Sequence, residues 1–234
     1  MSPGPQHRIA LIHALEESIL PARAAFARGW PEAFCFDLLD TSLAIDLSDA
    51  GELNTTLMNR FHALGTYAAN CAGKAGLTRG ILFTCSAFGP AIASVQTRLP
   101  IPVLRPNEAA FSKALDVGGV IGLVVTFPPA LRMLQDELVA MAAASGRSIA
   151  TKPILVPGAL DALKAGDGAS HDRLVVSACR GLSGLHALVL GQFSLSRAAP
   201  ALREILSVPV LTTPDCAVEA LRARLGDIGQ SKPA

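Results

Sequence analysis

Of the residues in this 234-residue chain that could do chemistry, Cys85 stands in the most distinctive place. The apolar run Gly80–Thr84 (GILFT) reads as a buried strand, and the residues from about Pro90 read as a helix. Cys85, within Thr-Cys-Ser-Ala-Phe-Gly-Pro, therefore falls where a strand gives way to a helix. Unpaired backbone N–H groups and positive potential at a helix N-terminus are expected to lower a thiol pKa and favour the thiolate. The same N–H groups can hold a carboxylate, and Pro90 suits a first helical turn. A thiol so placed can move a proton on and off carbon or act as a nucleophile. An inert, packed cysteine is the alternative, common for this residue type.

Other candidates are fewer. Thr126-Phe127-Pro128-Pro129 ends a strand and offers a hydroxyl, an aromatic wall and a proline-started helix; it could bind a carboxylate or be a plain turn. His13 ends the first strand, where it could donate a proton or be a hydrogen-bonded wall residue. His62, His171 and His186 fall on a helix, a loop and near a strand start, and no role is expected of them. Cys35, Cys71, Cys179 and Cys216 read as packing residues. No CxxC pair or His/Cys cluster suggests a metal. A Walker motif, a GxGxxG after the first strand and a GxSxG elbow are all missing, so neither a dinucleotide nor a serine nucleophile is supported.

The elements that must position these residues alternate. Strands are expected at Arg8–Leu15, Ala33–Leu39, Gly80–Thr84, Ile101–Leu104, Val120–Thr126, Ile149–Val156, Ala187–Leu190 and Val208–Leu211. Helices are expected at about Ile19–Arg28, Thr55–Ala75, from Pro90, Pro128–Ser145, near Leu174–Leu182 and up to Leu206. Strands alternating with helices imply βαβ units and parallel sheets, and continuously apolar strands imply cover on both faces. Gly166–Ser170 reads as a surface loop, and Met1–Gln6 and Gly229–Ala234 as tails.

A repeat organises the chain. The segment from Gly80 matches the segment from Ala187 without a gap at an offset of 107 residues: ILFTCSAF meets LVLGQFSL, and IPVL at 101–104 meets VPVL at 208–211. Val120–Thr126 likewise resembles Arg8–Ala14. The expected architecture is α/β, with two pseudo-symmetric lobes, each a short parallel sheet flanked by helices, and the active site in the cleft between them. Residues 7–116 would form the first lobe, with a C-terminal helix at 214–228 packing back on it, and residues 117–213 the second. Ligands of open parallel sheets bind beyond the carboxyl ends of the strands, which would set Cys85 opposite Gln192.

Composition bounds the rest. Half the residues are hydrophobic and 17% are charged, and the net charge is +1 without a basic stripe, so nucleic acid is not an expected partner. No apolar run reaches the ~20 residues needed to cross a bilayer, so no membrane association is expected. There is no basic leader with a cleavage site, and five irregularly spaced cysteines do not read as a disulfide framework. A reducing, cytoplasmic location is expected.

Strand–Thr-Cys-Ser at 84–86, the IPV strand, the restart at Val120 and the LVLG-x-x-S segment resemble the aspartate/glutamate/hydantoin racemase superfamily, which includes maleate isomerases and arylmalonate decarboxylases. The resemblance spans about Arg8 to Leu225. It implies two pseudo-symmetric lobes, pairing into homodimers or higher homo-oligomers, a small carboxylate substrate and no cofactor. Racemases of this kind place one cysteine on each side of the substrate α-carbon and stabilise the enolate-like carboxylate with hydroxyls and backbone N–H groups. Carried over, Cys85 matches the first cysteine, Ser86 and Ala87 the polar pair after it, and Thr126 the threonine-bearing loop. The substrate-binding set so implied is His13, Thr84, Ser86, Ala87, Thr126, Phe127, Gln192, Phe193 and Ser194.

The chain also departs from that pattern. Gln192 stands where the second cysteine is expected, Phe193-Ser194 replaces Thr-His, His13-Ala14 replaces Asp-Ser, and Ala87 lacks the usual hydroxyl. Glutamine exchanges no proton near neutral pH, so a symmetric two-thiol mechanism is not available. The resemblance then implies a cofactor-independent isomerase of the racemase type, acting at the α-carbon of a small carboxylate or amino acid through Cys85, with His13 a candidate for the second acid/base. Glutamate itself fits poorly, because an α-ammonium group lacks an obvious carboxylate partner. An arylmalonate-decarboxylase-like lyase using one cysteine, and a non-catalytic carboxylate-binding relative, are the alternatives.

Overall fold

The computed structural model describes residues 7–230; the tails expected at Met1–Gln6 and beyond Gln230 lie outside them. The chain divides into two units, one running to Pro106 and resuming at Ala217, the other Asn107–Cys216.

In the first unit the apolar runs become the strands β1 (His7–His13) and β2 (Ala33–Leu39), joined through a 3-10 turn at Glu16–Ser18 and helix α1 (Ile19–Gly29). Helices α2 (Ser42–Ala50) and α3 (Thr55–Asn70) follow, the second capped by the Asn54 side chain accepting from the Leu57 N–H at 3.0 Å. A two-residue strand β3 (Ala72–Gly73) turns antiparallel into β4 (Gly76–Phe83). The long helix expected to reach Ala75 therefore stops at Asn70, where Gly73, Ala75 and Gly76 take positive φ and a helix cannot continue. A 3-10 turn (Ser86–Phe88), α4 (Gly89–Gln96) and β5 (Val103–Leu104) complete this portion. Strand order is β2-β1-β4, with β5 also paired to β4, and all pairs are parallel save the β3 hairpin.

The second unit repeats the plan. After α5 (Glu108–Val117) come β6 (Gly119–Val125), α6 (Pro128–Ala144), β7 (Ile149–Leu155), α7 (Ala159–Lys164), α8 (Gly168–Cys179) and β8 (Ala187–Leu190). A 3-10 turn (Phe193–Ala198), α9 (Ala199–Ile205), β9 (Val210–Thr212) and α10 (Thr213–Gln230) finish the chain. The sheet order is β7-β6-β8-β9, all parallel. The loop expected at Gly166–Ser170 is instead the start of α8, because the Asp167 side chain accepts from the Ser170 N–H at 2.9 Å and caps the helix. His171 is accordingly helical and buried rather than in a loop. Helix α5 packs on β8, β9 and α6, so it groups with the second unit, and α10 runs on through Gly229 and Gln230.

The repeat is visible in the hydrogen-bond register. Ile81 pairs with Val103 and Leu82 with Leu104; at the same offset of 107 residues, Leu188 pairs with Val210 and Val189 with Leu211. Ile9 faces Gly80 as Ile121 faces Ala187. The Thr84 N–H donates to the Ile12 carbonyl at 3.0 Å, and the Gly191 N–H to the Val124 carbonyl at 2.9 Å. Each sheet carries its own core. In the first, Phe61 of α3 lies 5.5 Å from the Phe83 ring and 4.7 Å from Phe88; in the second, Val124, Val175, Leu190, Leu195 and Leu202 pack together. Burying side chains of this size contributes about 1.5–3 kcal/mol each.

Candidate functional site

Each sheet presents its carboxyl-end residues as one group. In the first unit these are His13 at the end of β1 and Thr84-Cys85-Ser86-Ala87 after β4. Cys85 has extended backbone (φ −102°, ψ 117°) and is partly buried, while Thr84, Ser86 and Ala87 are buried. Phe83 and Phe88 flank the turn and are both held by Phe61, which fixes the backbone on either side of the thiol.

The electrostatics of Cys85 differ from the sequence expectation. Burial pushes the thiol up to about 11, against the Ala87 backbone N–H, which hydrogen-bonds the sulfur and favours thiolate. The α-helix begins only at Gly89, and a short 3-10 turn stands between it and Cys85. At neutral pH Cys85 is a thiol, loaded with a proton, rather than a standing thiolate.

His13 is fully enclosed. Its Nδ1 lies 2.8 Å from Thr84 Oγ1 and 2.9 Å from Ser18 Oγ, and its Nε2 lies 3.0 Å from Asp37 Oδ1. Asp37 Oδ2 accepts from Arg23 Nε at 2.8 Å. Burial lowers the His13 pKa, opposed by the hydrogen bond and charge of Asp37 and assisted by Arg23. Ser18, Asp37 and Arg23 were not among the sequence candidates. Asp37 carried a signal, a carboxylate inside the apolar strand AFCFDLL; Ser18 carried none.

In the second unit the corresponding residues are Thr126 and Phe127 after β6 and Gln192-Phe193-Ser194 after β8. Gln192 has the extended backbone of Cys85 (φ −136°, ψ 148°) and likewise precedes a 3-10 turn. A Cβ on Gly191 would lie 3.1 Å from the Val124 carbonyl oxygen, so β8 leaves the sheet pressed against β6. Gln192 Oε1 accepts from both the Thr126 N–H, at 2.6 Å, and the Thr126 hydroxyl, at 2.8 Å. That occupies the amide oxygen and leaves the amide N–H groups to donate elsewhere. Thr126, Phe193 and Ser194 are buried, Phe127 and Gln192 partly so.

The remaining candidates have structural places. His62 Nε2 lies 2.8 Å from Ser94 Oγ and ties α3 to α4. His186 Nδ1 accepts from the Val120 N–H at 3.0 Å, its ring pressed so closely on Gly119 that a Cβ there would lie 2.6 Å away. Cys71 donates to the Tyr67 carbonyl at 3.3 Å; Cys179 and Cys216 are buried, and burial pushes Cys35 up to about 12 and Cys179 up to about 11. Among the described residues no cluster of three or more His, Cys, Asp or Glu could hold a metal, and no helix is long and apolar enough to cross a membrane.

Comparison with known proteins identifies the family and the fold. The Asp/Glu/hydantoin racemase family model matches residues 22–221. Similar solved structures include allantoin racemase from Pseudomonas fluorescens, at 17% identity and a TM-score of 0.67, covering 97% of this chain and 93% of that one. A glutamate racemase isoform from Bacillus anthracis aligns at 15% identity and a TM-score of 0.68, covering 96% and 84%. A liganded double mutant of arylmalonate decarboxylase aligns at 15% identity and a TM-score of 0.59, covering 97% and 96%. At these identities the likeness is one of fold. Among curated protein sequences no significant match is found.

Proposed function

Since the chain belongs to the Asp/Glu/hydantoin racemase family, we propose that it is a cofactor-independent, isomerase-type enzyme acting at the α-carbon of a small carboxylate through Cys85. The observation that supports this most is the asymmetry between two equivalent strand ends: a proton-bearing thiol after β4, and after β8 an amide whose oxygen is already taken by Thr126. Cys85 moves the α-proton on one face, and inversion calls for a second acid/base on the other; the Gln192 amide N–H groups remain donors suited to an anionic oxygen. Thr84, Ser86, Ala87, Phe127, Phe193 and Ser194 complete the binding set, and His13 acts from behind Thr84. A substrate without an α-ammonium group, either a hydantoin-type ring or a simple acid, suits these residues better than glutamate. Five irregularly spaced cysteines fit a reducing, cytoplasmic setting, and a homodimer or higher homo-oligomer is the expected assembly.

The same asymmetry favours a second reading, a lyase. Loss of carbon dioxide from a malonate-type acid leaves an enediolate, and a single thiol carrying its proton is enough to quench it on one face.

Incubation in heavy water with allantoin, substituted hydantoins, glutamate and an arylmalonate separates the readings. An isomerase exchanges the α-hydrogen of recovered substrate; a lyase releases carbon dioxide and places one deuterium in the product. Cys85→Ala is expected to lower kcat/KM by about 10²–10⁴-fold, the usual contribution of a general acid or base. Undiminished turnover in Cys85→Ala would remove the thiol from the mechanism.

A further inference from the structure

Five side chains, from β1, β2, α1, the turn before α1 and Thr84 just past β4, form one continuous hydrogen-bonded chain. It runs from Arg23 through Asp37 and His13 to Thr84 and Ser18, whose hydroxyls lie 2.9 Å apart, and ends at the Leu15 carbonyl, 2.7 Å from Ser18 Oγ. Counting donors and acceptors orders its protons. The Asp37 carboxylate only accepts, so the His13 Nε2 carries a hydrogen. The Leu15 carbonyl only accepts, so it takes the single Ser18 proton. Nδ1, 2.9 Å from Ser18 and 2.8 Å from Thr84, then has Thr84 as its one remaining donor.

The protonation state of the ring divides what remains. With one proton on the ring, the Thr84 hydroxyl donates to Nδ1, and the Ser18 and Thr84 oxygens meet with no hydrogen between them. With a second ring proton, Nδ1–H donates to Thr84, whose own hydrogen swings to Ser18 or to the Ile12 carbonyl 3.3 Å away; the Nδ1–Ser18 contact holds no hydrogen in either state. The direction of the Thr84 O–H bond therefore reports the charge on His13, one residue before Cys85.

We propose that His13 is a positioning residue: through the Thr84 hydroxyl it sets the strand end that carries Cys85, in one of two arrangements chosen by its own protonation. The consequence for catalysis rests on the reading of Cys85 as the reacting group; the chain itself does not. The charged groups facing His13 are Asp37 of β2 and Arg23 of α1. Ser18 and Thr84 face it uncharged from the turn and from just past β4, and Cys35 of β2, raised chiefly by burial to about 12, stays neutral. Burial lowers the imidazole below its ordinary range, so the neutral arrangement holds at neutral pH and above, and the charged one is reached only in acid.

The test uses the full chain and two readouts that need no turnover. Nitrogen NMR of the imidazole, assigned by the signal lost in His13→Gln, gives the tautomer. Mass-resolved modification of Cys85 by methyl methanethiosulfonate, between about pH 5 and pH 8, gives the reactivity of the thiol across the range where a histidine titrates. The expected result is an Nε2–H tautomer at the upper pH. The Cys85 rate, once the roughly tenfold rise in thiolate per pH unit is divided out, should step by about threefold or more as a charge appears beside Thr84. The step should be absent in His13→Gln and in Thr84→Val. Should His13→Gln not fold, Asp37→Asn serves in its place, moving the step to lower pH as the imidazolium loses its partner. An Nδ1–H tautomer in the wild type, or corrected profiles that superimpose for wild type and variants, would overturn the proposal. Turnover that survives Cys85→Ala would instead sink the functional reading and leave this one standing.

Discussion

At the scale of single residues, the pair Cys85 and Gln192 carries the argument. A thiol and an amide occupy the same place in two copies of one supersecondary unit, yet their chemistry differs: one exchanges protons, the other only donates hydrogen bonds near neutral pH. Gln192 is held by Thr126 and precedes a turn with the backbone of the Cys85 turn. Gln192→Cys should therefore be tolerated and should supply a second thiol. We expect the variant to fold with an added thiol at the second strand end, seen as one more cysteine modified by methyl methanethiosulfonate in the folded protein. A variant that unfolds would show that Thr126 needs the amide oxygen at 192. The residue type at 85 was legible from the sequence because the strand-to-helix junction shows as an apolar run followed by Ser-Ala-Phe-Gly-Pro. Its protonation state was not, because burial outweighs the one N–H that reaches the sulfur.

At the scale of elements, α3 does more than cover the sheet. Phe61, almost wholly buried, touches Phe83 before Cys85 and Phe88 after it. Phe61→Ala removes the contact common to both ends of the turn and leaves a void in a close-packed layer. Denaturant unfolding should show a loss of about 3–5 kcal/mol, the range for Phe→Ala in cores. Modification of Cys85 in the folded variant should also quicken, because loosening the turn admits water to a thiol that burial keeps protonated. An unfolding loss below about 1 kcal/mol would show that the site had collapsed around the gap. The strands of this layer were legible, because parallel strands covered on both faces are apolar throughout. Helices α2, α5 and α7 were not: the first is broken up by Ser and Asp, the last is six residues long, and α5 follows a strand too short to mark its start.

At the scale of the whole molecule, the same strand order and pairing register occur twice, and the chain passes from one unit to the other near Pro106 and again near Cys216. The repeat was legible because both copies kept their apolar strands and an x-Pro-Val-Leu segment in step. If the protein binds small acids, mass action should stabilise it. A dicarboxylate such as malonate, at about 100 times its Kd, adds about 2.7 kcal/mol to the folded state. At roughly 2–4 °C per kcal/mol for a chain of this size, the melting temperature of Cys85→Ala should rise by about 5–10 °C, read by differential scanning fluorimetry. A melting temperature that ignores malonate, hydantoin and phenylmalonate alike would argue against a carboxylate or hydantoin ligand.

The sequence by itself determined the alternation of strand and helix, the internal repeat, and the presence of one junctional thiol set against one junctional glutamine. These are local or periodic properties, written in neighbouring residues and in a constant spacing. Only the tertiary structure decided that His13 is enclosed among Ser18, Asp37 and Thr84, that the Gln192 oxygen is occupied by Thr126, and that Cys85 rests as a thiol. Each of these depends on which side chains meet across strands distant in sequence and on how much water is shut out around them, and neither quantity is carried by any single stretch of the chain.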